Sequence, residues 1–242
     1  FGFAHIEAAE QGVEALGYVV INRVLGEVLQ EALGNVAKLD LHCPARISDL
    51  ESTDRGTRVV LDESGERRDL HCRLLVAADG ATSATRDLLG IGHSRLDYEQ
   101  HAVIGNLLPE RAPRHRAFER FTESGPIAML PIAEQRAAFV WILPSNEAAA
   151  IVESSDAAFV EKLQVAFGHR LGRFSRIGKR VAYPLSLTRA NALIARRGVV
   201  IGNAAHGLHP VAAQGFNLGM RDVAALCDCI ADEVSAHRNT GA

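Results

Sequence analysis

An apolar run that stops at a glycine, a proline-bearing loop and a second glycine opening a long amphipathic stretch constrain this chain more than any other feature. The run is Gly198-Val199-Val200-Ile201-Gly202, continued by Asn203-Ala204-Ala205-His206. The loop carries His209-Pro210-Val211-Ala212-Ala213-Gln214, and Gly215-Phe216-Asn217-Leu218-Gly219-Met220-Arg221-Asp222 opens the third part. That order predicts a strand, a loop and a helix start. After Asn217, apolar residues recur at Met220, Val223, Leu226 or Cys227, Ile230 and Val234, which is helical spacing. The start of such a helix gathers unpaired backbone N–H groups and partial positive charge, a setting for an anionic or electron-rich ligand edge. Gly219, in the first turn, leaves room for close backbone approach. The glycines alone describe an ordinary strand-to-helix connection; the whole segment from Gly202 to Asp222 is far more specific.

A second segment of the same kind lies upstream. Arg73-Leu74-Leu75-Val76-Ala77-Ala78-Asp79-Gly80 reads as a buried strand stopping at Asp-Gly, and Ala81-Thr82-Ser83-Ala84-Thr85-Arg86 opens a short helix. Gly80 permits a sharp turn. Ser83 can cap the helix or donate to phosphate, and Arg86 can pair with Asp79 or with phosphate.

Together the two segments resemble the paired fingerprints of the class A flavoprotein aromatic hydroxylases, the para-hydroxybenzoate hydroxylase-like family, and within it the ubiquinone-biosynthesis hydroxylases. The residues that carry the resemblance are Asp79, Gly80, Ser83 and Arg86 in the first segment. In the second they are Gly202-Asn203-Ala204-Ala205, Leu208-His209-Pro210 and Gln214-Gly215-Phe216-Asn217-Leu218-Gly219-Met220-Arg221-Asp222. The resemblance implies an α/β fold: an incomplete Rossmann-like FAD/NAD(P)-binding domain with an inserted, mostly antiparallel β-sheet substrate domain. It implies FAD as cofactor, held by Asp79, Gly80, Arg86, Gly202, Asn203, Pro210, Gln214, Gly215, Phe216, Asn217 and Leu218. His209 and Pro210 are its catalytic candidates, although a loop histidine bonded to backbone is an equal reading of His209, and His206 is a weaker candidate. Two departures from the family pattern stand out. Asn203 replaces the usual Asp, keeping a carbonyl acceptor and losing the charge. Ala213 replaces the usual Gly, which would be strained at a positive φ.

The family's first signature, Gly-x-Gly-x-x-Gly, is absent, and the chain begins Phe1-Gly2-Phe3-Ala4-His5 without an initiator Met. The expectation is a fragment lacking both that βαβ unit and the C-terminal helices, with no site of its own for the ADP half of FAD. The expected division is FAD-binding domain at 1–93, substrate sheet at 94–188 and FAD-binding domain again at 189–242.

Composition is that of an ordinary globular chain: 48% hydrophobic and 23% charged residues over 242, with a formal net charge of −3. No basic excess points to nucleic acid. No apolar run reaches membrane-spanning length, and no signal peptide is visible. Cys43, Cys72, Cys227 and Cys229 form no Cys-x-x-Cys pair, and the ten His lack metal-ligand spacing, so metal binding is not expected. Reduced thiols fit a cytoplasmic protein.

Tyr18–Ile21 reads as a strand, with Asn22 capping a helix that ends at Gly34; Asn22 or Arg23 is a weak candidate for the flavin neighbour that the family carries on this helix. Short strands follow at 39–43, 46–51, 58–62 and 69–77, with Glu63-Ser64-Gly65-Glu66 as a hairpin turn. Strands are expected at 101–108, 116–121, 127–131, 137–143 and 181–187, with one amphipathic helix at 156–167. In the family this sheet roofs the flavin and the substrate cavity. Phe118, Phe121, Met129, Leu130, Trp141, Tyr183 and Pro184 are therefore either cavity or core.

The implied activity is NAD(P)H- and O2-dependent hydroxylation of a polyprenylated methoxyphenol in ubiquinone biosynthesis, through a flavin C4a-hydroperoxide. The cofactor carries the bond-making chemistry, so no Ser-His-Asp set is needed. A prenyl tail implies either a peripheral contact with the inner membrane or a soluble ubiquinone-biosynthesis complex. The alternatives are hydroxylation of a small soluble aromatic acid, which would want a cation such as Arg120, and a non-catalytic scaffold that keeps the flavin fold.

Overall fold

The computed structural model describes residues 2–132 and 135–241. In chain order the elements are α1 (Asn22–Gly34), β1 (Arg46–Ser52), β2 (Thr57–Glu63), β3 (Glu66–Cys72), β4 (Leu75–Ala77), α2 (Ala84–Leu88), β5 (His93–Pro109), β6 (Phe118–Thr122), β7 (Gly125–Pro131), β8 (Ala137–Pro144), α3 (Ser145–Glu153), α4 (Asp156–Phe167), β9 (Phe174–Ser175), β10 (Val181–Ala190), β11 (Ile194–Ala195), β12 (Gly198–Val200), β13 (His206–Gly207) and α5 (Gly215–Ser235). The chain forms two compact units. One is built from Asp40–Gln100 and Pro184–Ala242, the other from Phe1–Leu39 and His101–Tyr183.

In the first unit β1, β2 and β3 form an antiparallel meander. The expected turn closes β2 onto β3, where Glu63 pairs with Glu66 and the Asp62 carboxylate accepts the Gly65 N–H at 3.1 Å. β2 supplies the buried side chains Val59, Val60 and Leu61. The stretch expected as one strand over 69–77 is two. Leu75 N–H donates to Arg197 carbonyl at 2.8 Å, which turns the chain out of the meander and into a different sheet. There β4 runs parallel to β12, Leu75 against Gly198 and Ala77 against Val200, with β11 antiparallel on the other edge of β12. The two strands singled out in the sequence are therefore direct neighbours. A small core of Ala77, Ile91, Ala190, Val200, Ala204 and Ala205 lies around their ends.

The second unit is a sheet backed by two helices. β6, β7 and β8 pair antiparallel, with Met129 opposite Phe139 and Ile127 opposite Trp141. Ile127 and Met129 on β7, and Ala137, Phe139, Trp141 and Leu143 on β8, alternate into the core, and Ile142 on the other face of β8 is buried as well. α4 presents Phe159, Leu163 and Phe167, one residue in every four, to that face. Phe159 meets Phe139 and Trp141 with ring centroids 5.5 and 5.9 Å apart. Each such side chain stabilises the unit by roughly 1.5–3 kcal/mol of apolar burial. Ser155 caps α4, its hydroxyl accepting the Ala158 N–H at 3.3 Å.

Several expectations differ from what forms. Tyr18–Ile21 and 39–43 join no strand, and β5 begins at His93. Asn22 is the first helical residue; Ile21 holds the cap position without a side-chain acceptor, and α1 buries no residue. A second helix, α3, follows Pro144 directly, because proline tolerates a helix start and Ala148-Ala149-Ala150 is a strong helix-forming run. Met129 and Trp141 belong to the core, whereas Phe121 is exposed.

Candidate functional site

Both strands of the parallel pair end in turns made by glycine. Gly80 has φ +92° and Gly202 has φ +57°, where a side chain would be strained. The Asp79 carboxylate binds the turn that follows it: one oxygen accepts the Ser83 hydroxyl, the other the Thr85 N–H at 3.0 Å. Burial pushes the Asp79 carboxyl up, but the hydrogen bonds from Ser83 and Thr85 outweigh it and hold the group below the usual carboxylate range. Ser83 caps α2, its hydroxyl accepting the Arg86 N–H at 2.9 Å.

Arg86 is 1% exposed. Its Nη1 donates to the Ala204 carbonyl at 3.0 Å and to the Ala81 carbonyl at 3.4 Å, while Nε and Nη2 reach the Asp87 carboxylate at 3.3 and 3.2 Å. The sequence offered it Asp79 or phosphate as partners; instead its guanidinium bonds Asp87 and joins the Asp-Gly segment to the Gly-Asn segment.

From Gly202 the chain makes a single 3₁₀ turn, Gly202–Ala204. Ala204 and Ala205 are buried, but Asn203 is exposed, and its side chain forms no hydrogen bond among the described residues. Asp222, on α5, accepts two donors on one oxygen: the Gly202 N–H at 2.8 Å and His206 Nε2 at 2.7 Å. His209 precedes a further 3₁₀ turn, Pro210–Ala212, and its Nδ1 accepts the Val211 N–H at 3.1 Å. Tyr98 packs edge-on against the His209 ring, centroids 5.0 Å apart. Burial pushes the His209 imidazole below its ordinary value, favouring the neutral ring that the Val211 bond also needs. Ala213 sits in the left-handed region at φ +49°.

α5 begins at Gly215 behind Gln214, which gives no side-chain cap. The N–H groups of Gly215, Phe216 and Asn217 therefore have no intrahelical acceptor, and they carry the positive end of a 21-residue helix. Phe216 is 63% exposed beside them. Asn203, Pro210, Gln214, Gly215, Phe216, Asn217 and Leu218 thus lie on one continuous loop and helix start, whereas Asp79 and Gly80 lie in the turn after the neighbouring strand and Arg86 lies on α2 beyond it. Such a surface suits a planar, electron-rich ligand that needs hydrogen-bond donors at one edge and a carbonyl or amide partner for hydroxyls at another.

Sequence reading did not reach the bonds that three residues make. Asp222 was read as a polar position closing the second fingerprint, Arg86 as a partner of Asp79 or of phosphate, and Tyr98 was not singled out. Asp222 had a signal: it shares a helix face with Gly215, Leu218 and Gly219, the face that the glycines clear. Arg120, proposed as a carboxylate holder, donates instead to the Phe167 carbonyl at the C-terminus of α4, at 2.7 Å.

The FAD binding domain family matches residues 5–240, and the chain belongs to it. Over 227 residues it is 37% identical to the ubiquinone hydroxylase UbiL of Rhodospirillum rubrum, covering 93% of this chain and 52% of that protein. It is 32% identical to the 3-demethoxyubiquinol 3-hydroxylase of Escherichia coli K12 over 229 residues, covering 94% and 58%. The chain thus spans about half the length of these curated relatives. In fold it is similar to p-nitrophenol 4-monooxygenase PnpA of Pseudomonas putida, with a TM-score of 0.69 at 16% identity, covering 86% of this chain and 53% of that one.

Proposed function

We propose that this member of the FAD binding domain family works, in its whole protein, as an FAD-dependent monooxygenase that hydroxylates a polyprenylated phenol for ubiquinone synthesis, with NAD(P)H as reductant. One observation carries the reading: the uncapped start of α5 and the unbonded side chain of Asn203 lie on one loop directly after the β12 strand end. FAD fits this residue set. Its ring edge matches the free N–H groups, and a ribityl hydroxyl matches the Asn203 amide, whose carbonyl accepts as an Asp would, though more weakly and without the charge. The bound flavin would supply electron transfer and oxygen activation. The chain's own part is to orient the ring and to favour negative charge along one edge. The N–H groups of Gly215, Phe216 and Asn217 do both, since a charge that grows at a helix N-terminus is stabilised there. Pro210 fixes the backbone of the loop beside them. His209, with Nδ1 engaged by Val211, keeps its proton on Nε2 and is available to hold a phenol oxygen.

The relatives named as ubiquinone hydroxylases support a phenolic substrate. Arg120, the cation named for the small-acid reading, already donates one N–H to the Phe167 carbonyl. Among the described residues no helix is long and apolar enough to cross a membrane. A prenyl tail needs an apolar setting, which peripheral contact with a membrane or a partner protein would supply. The test is turnover of the full-length protein. It should purify yellow, and a prenylated phenol should accelerate its NADPH oxidation with hydroxylated product formed. Faster turnover of an aromatic acid would overturn the substrate assignment. A colourless protein that still binds biosynthetic partners would establish a scaffold instead.

A further inference from the structure

The Gly202–Ala204 turn is held at both ends by charged side chains from elsewhere in the chain. At its entry the Asp222 carboxylate accepts the Gly202 N–H at 2.8 Å. At its exit the buried Arg86 guanidinium donates to the Ala204 carbonyl at 3.0 Å. Between these two anchors lies Asn203, whose side chain is exposed and bonded to nothing among the described residues. The backbone on either side is therefore fixed while the side chain is left for something else.

Asp222 is itself held in place. Its second donor is His206 Nε2, at 2.7 Å. The other ring nitrogen of His206, Nδ1, is buried without a partner among the described residues. A proton on Nδ1 would be a buried, unsatisfied donor, so the proton belongs on Nε2, aimed at the carboxylate. α5 brings Asp222 this near because Gly219, one turn earlier, packs on the 3₁₀ turn. A methyl group at Gly219 would lie 3.5 Å from the Gly202 Cα, in ordinary van der Waals contact, so helix and turn meet closely here.

We infer that Asp222 and Arg86 are positioning residues that clamp the Gly202–Ala204 turn and thereby present the Asn203 amide to the cofactor. The inference rests on the flavin reading given above for what Asn203 meets; the clamp itself is independent of it. Each charged group spends its bond on the backbone of the turn. Both act through Asn203, and this separates them from residues that only stabilise the fold.

The test has two arms on the full-length protein. In the cofactor-free form, amide hydrogen exchange is measured across Gly202–Ala204. Asp222→Ala should speed exchange there about tenfold or more. Asp222→Asn, which keeps an acceptor oxygen, should stay within about threefold of wild type. Unchanged exchange in Asp222→Ala overturns the clamp. In the second arm FAD affinity is measured for Asp222→Ala and Asn203→Ala, singly and together. The Asp222→Ala loss, about tenfold in the wild-type background, should shrink to less than about twofold once Asn203 is Ala. Losses that simply multiply would show a merely structural role and overturn the inference. Should Asp222→Ala fail to fold, Arg86→Lys supplies the same cycle from the other side of the turn, with the same two outcomes. A wild-type protein that takes up no FAD, with the exchange result intact, would refute the flavin reading and leave the clamp standing.

Discussion

Arg86 and Ala204 are 118 residues apart in the chain, yet the guanidinium of one donates to the carbonyl of the other at 3.0 Å. The bond joins the two strand ends that form the candidate site. Replacing Arg86 with Ala should strand the Ala204 carbonyl in a buried setting and free the Asp87 carboxylate. The expected loss of stability is about 2–4 kcal/mol, read from urea unfolding. A loss under about 1 kcal/mol would show that water takes over the carbonyl.

Ala213 shows strain in a different form. At φ +49° its methyl group costs about 1–2 kcal/mol relative to a right-handed residue. Glycine would relieve that strain but loosen the unfolded chain by about 0.4–1 kcal/mol. Ala213→Gly should therefore be neutral to stabilising by about 1 kcal/mol, and Ala213→Val clearly destabilising. Paired urea midpoints check the ordering; a destabilised Gly variant would contradict it.

Gly198 offers a size-swap. A Cβ there would lie 2.4 Å from Leu89 Cδ2 and 3.0 Å from Cδ1. Gly198→Ala should cost about 1–3 kcal/mol by overpacking beside the parallel pair. In a Leu89→Ala background the same change should cost much less, because the space it needs has been opened. Thermal unfolding of the four proteins measures the coupling.

His209 should make stability fall on acidification. Burial lowers its folded value, so the unfolded chain binds the proton first as pH drops below the ordinary imidazole value of about 6.5. Stability is intact above that value. It declines through the window down to the lowered folded value, below which both states are protonated and the loss is complete. The His209→Gln protein should lose this slope between pH 7 and 5 in urea titrations. Equal slopes in both proteins would show that the ring is not held neutral.

Periodicity and turn chemistry made much of this protein readable before its structure. Helix α5 follows from the spacing of Met220, Val223, Ile230 and Val234, and the meander turn from Ser64-Gly65. Strands β7 and β8 fall where 127–131 and 137–143 read as strands. These signals are local, and local rules govern them. What escaped were choices made across long separations. Arg86 could not reveal that its acceptor is the Ala204 carbonyl, nor Arg120 that it ends α4. Tyr18–Ile21 has the composition of a strand but finds no partner to pair with among the described residues. Asp222 stood in the second fingerprint and on the glycine face of its helix, but nothing along the chain shows that Gly202 and His206 converge on it.

The parallel pairing of β4 and β12 has a consequence for how this architecture can diversify. Roughly 120 residues separate the two strands, and the entropy of closing a loop rises only with the logarithm of its length. Once Arg86 and Asp222 have fastened the paired ends, the intervening polypeptide can lengthen, shorten or change its lining at little thermodynamic penalty. Selection can then vary the inserted polypeptide while the turns that end β4 and β12 stay as they are.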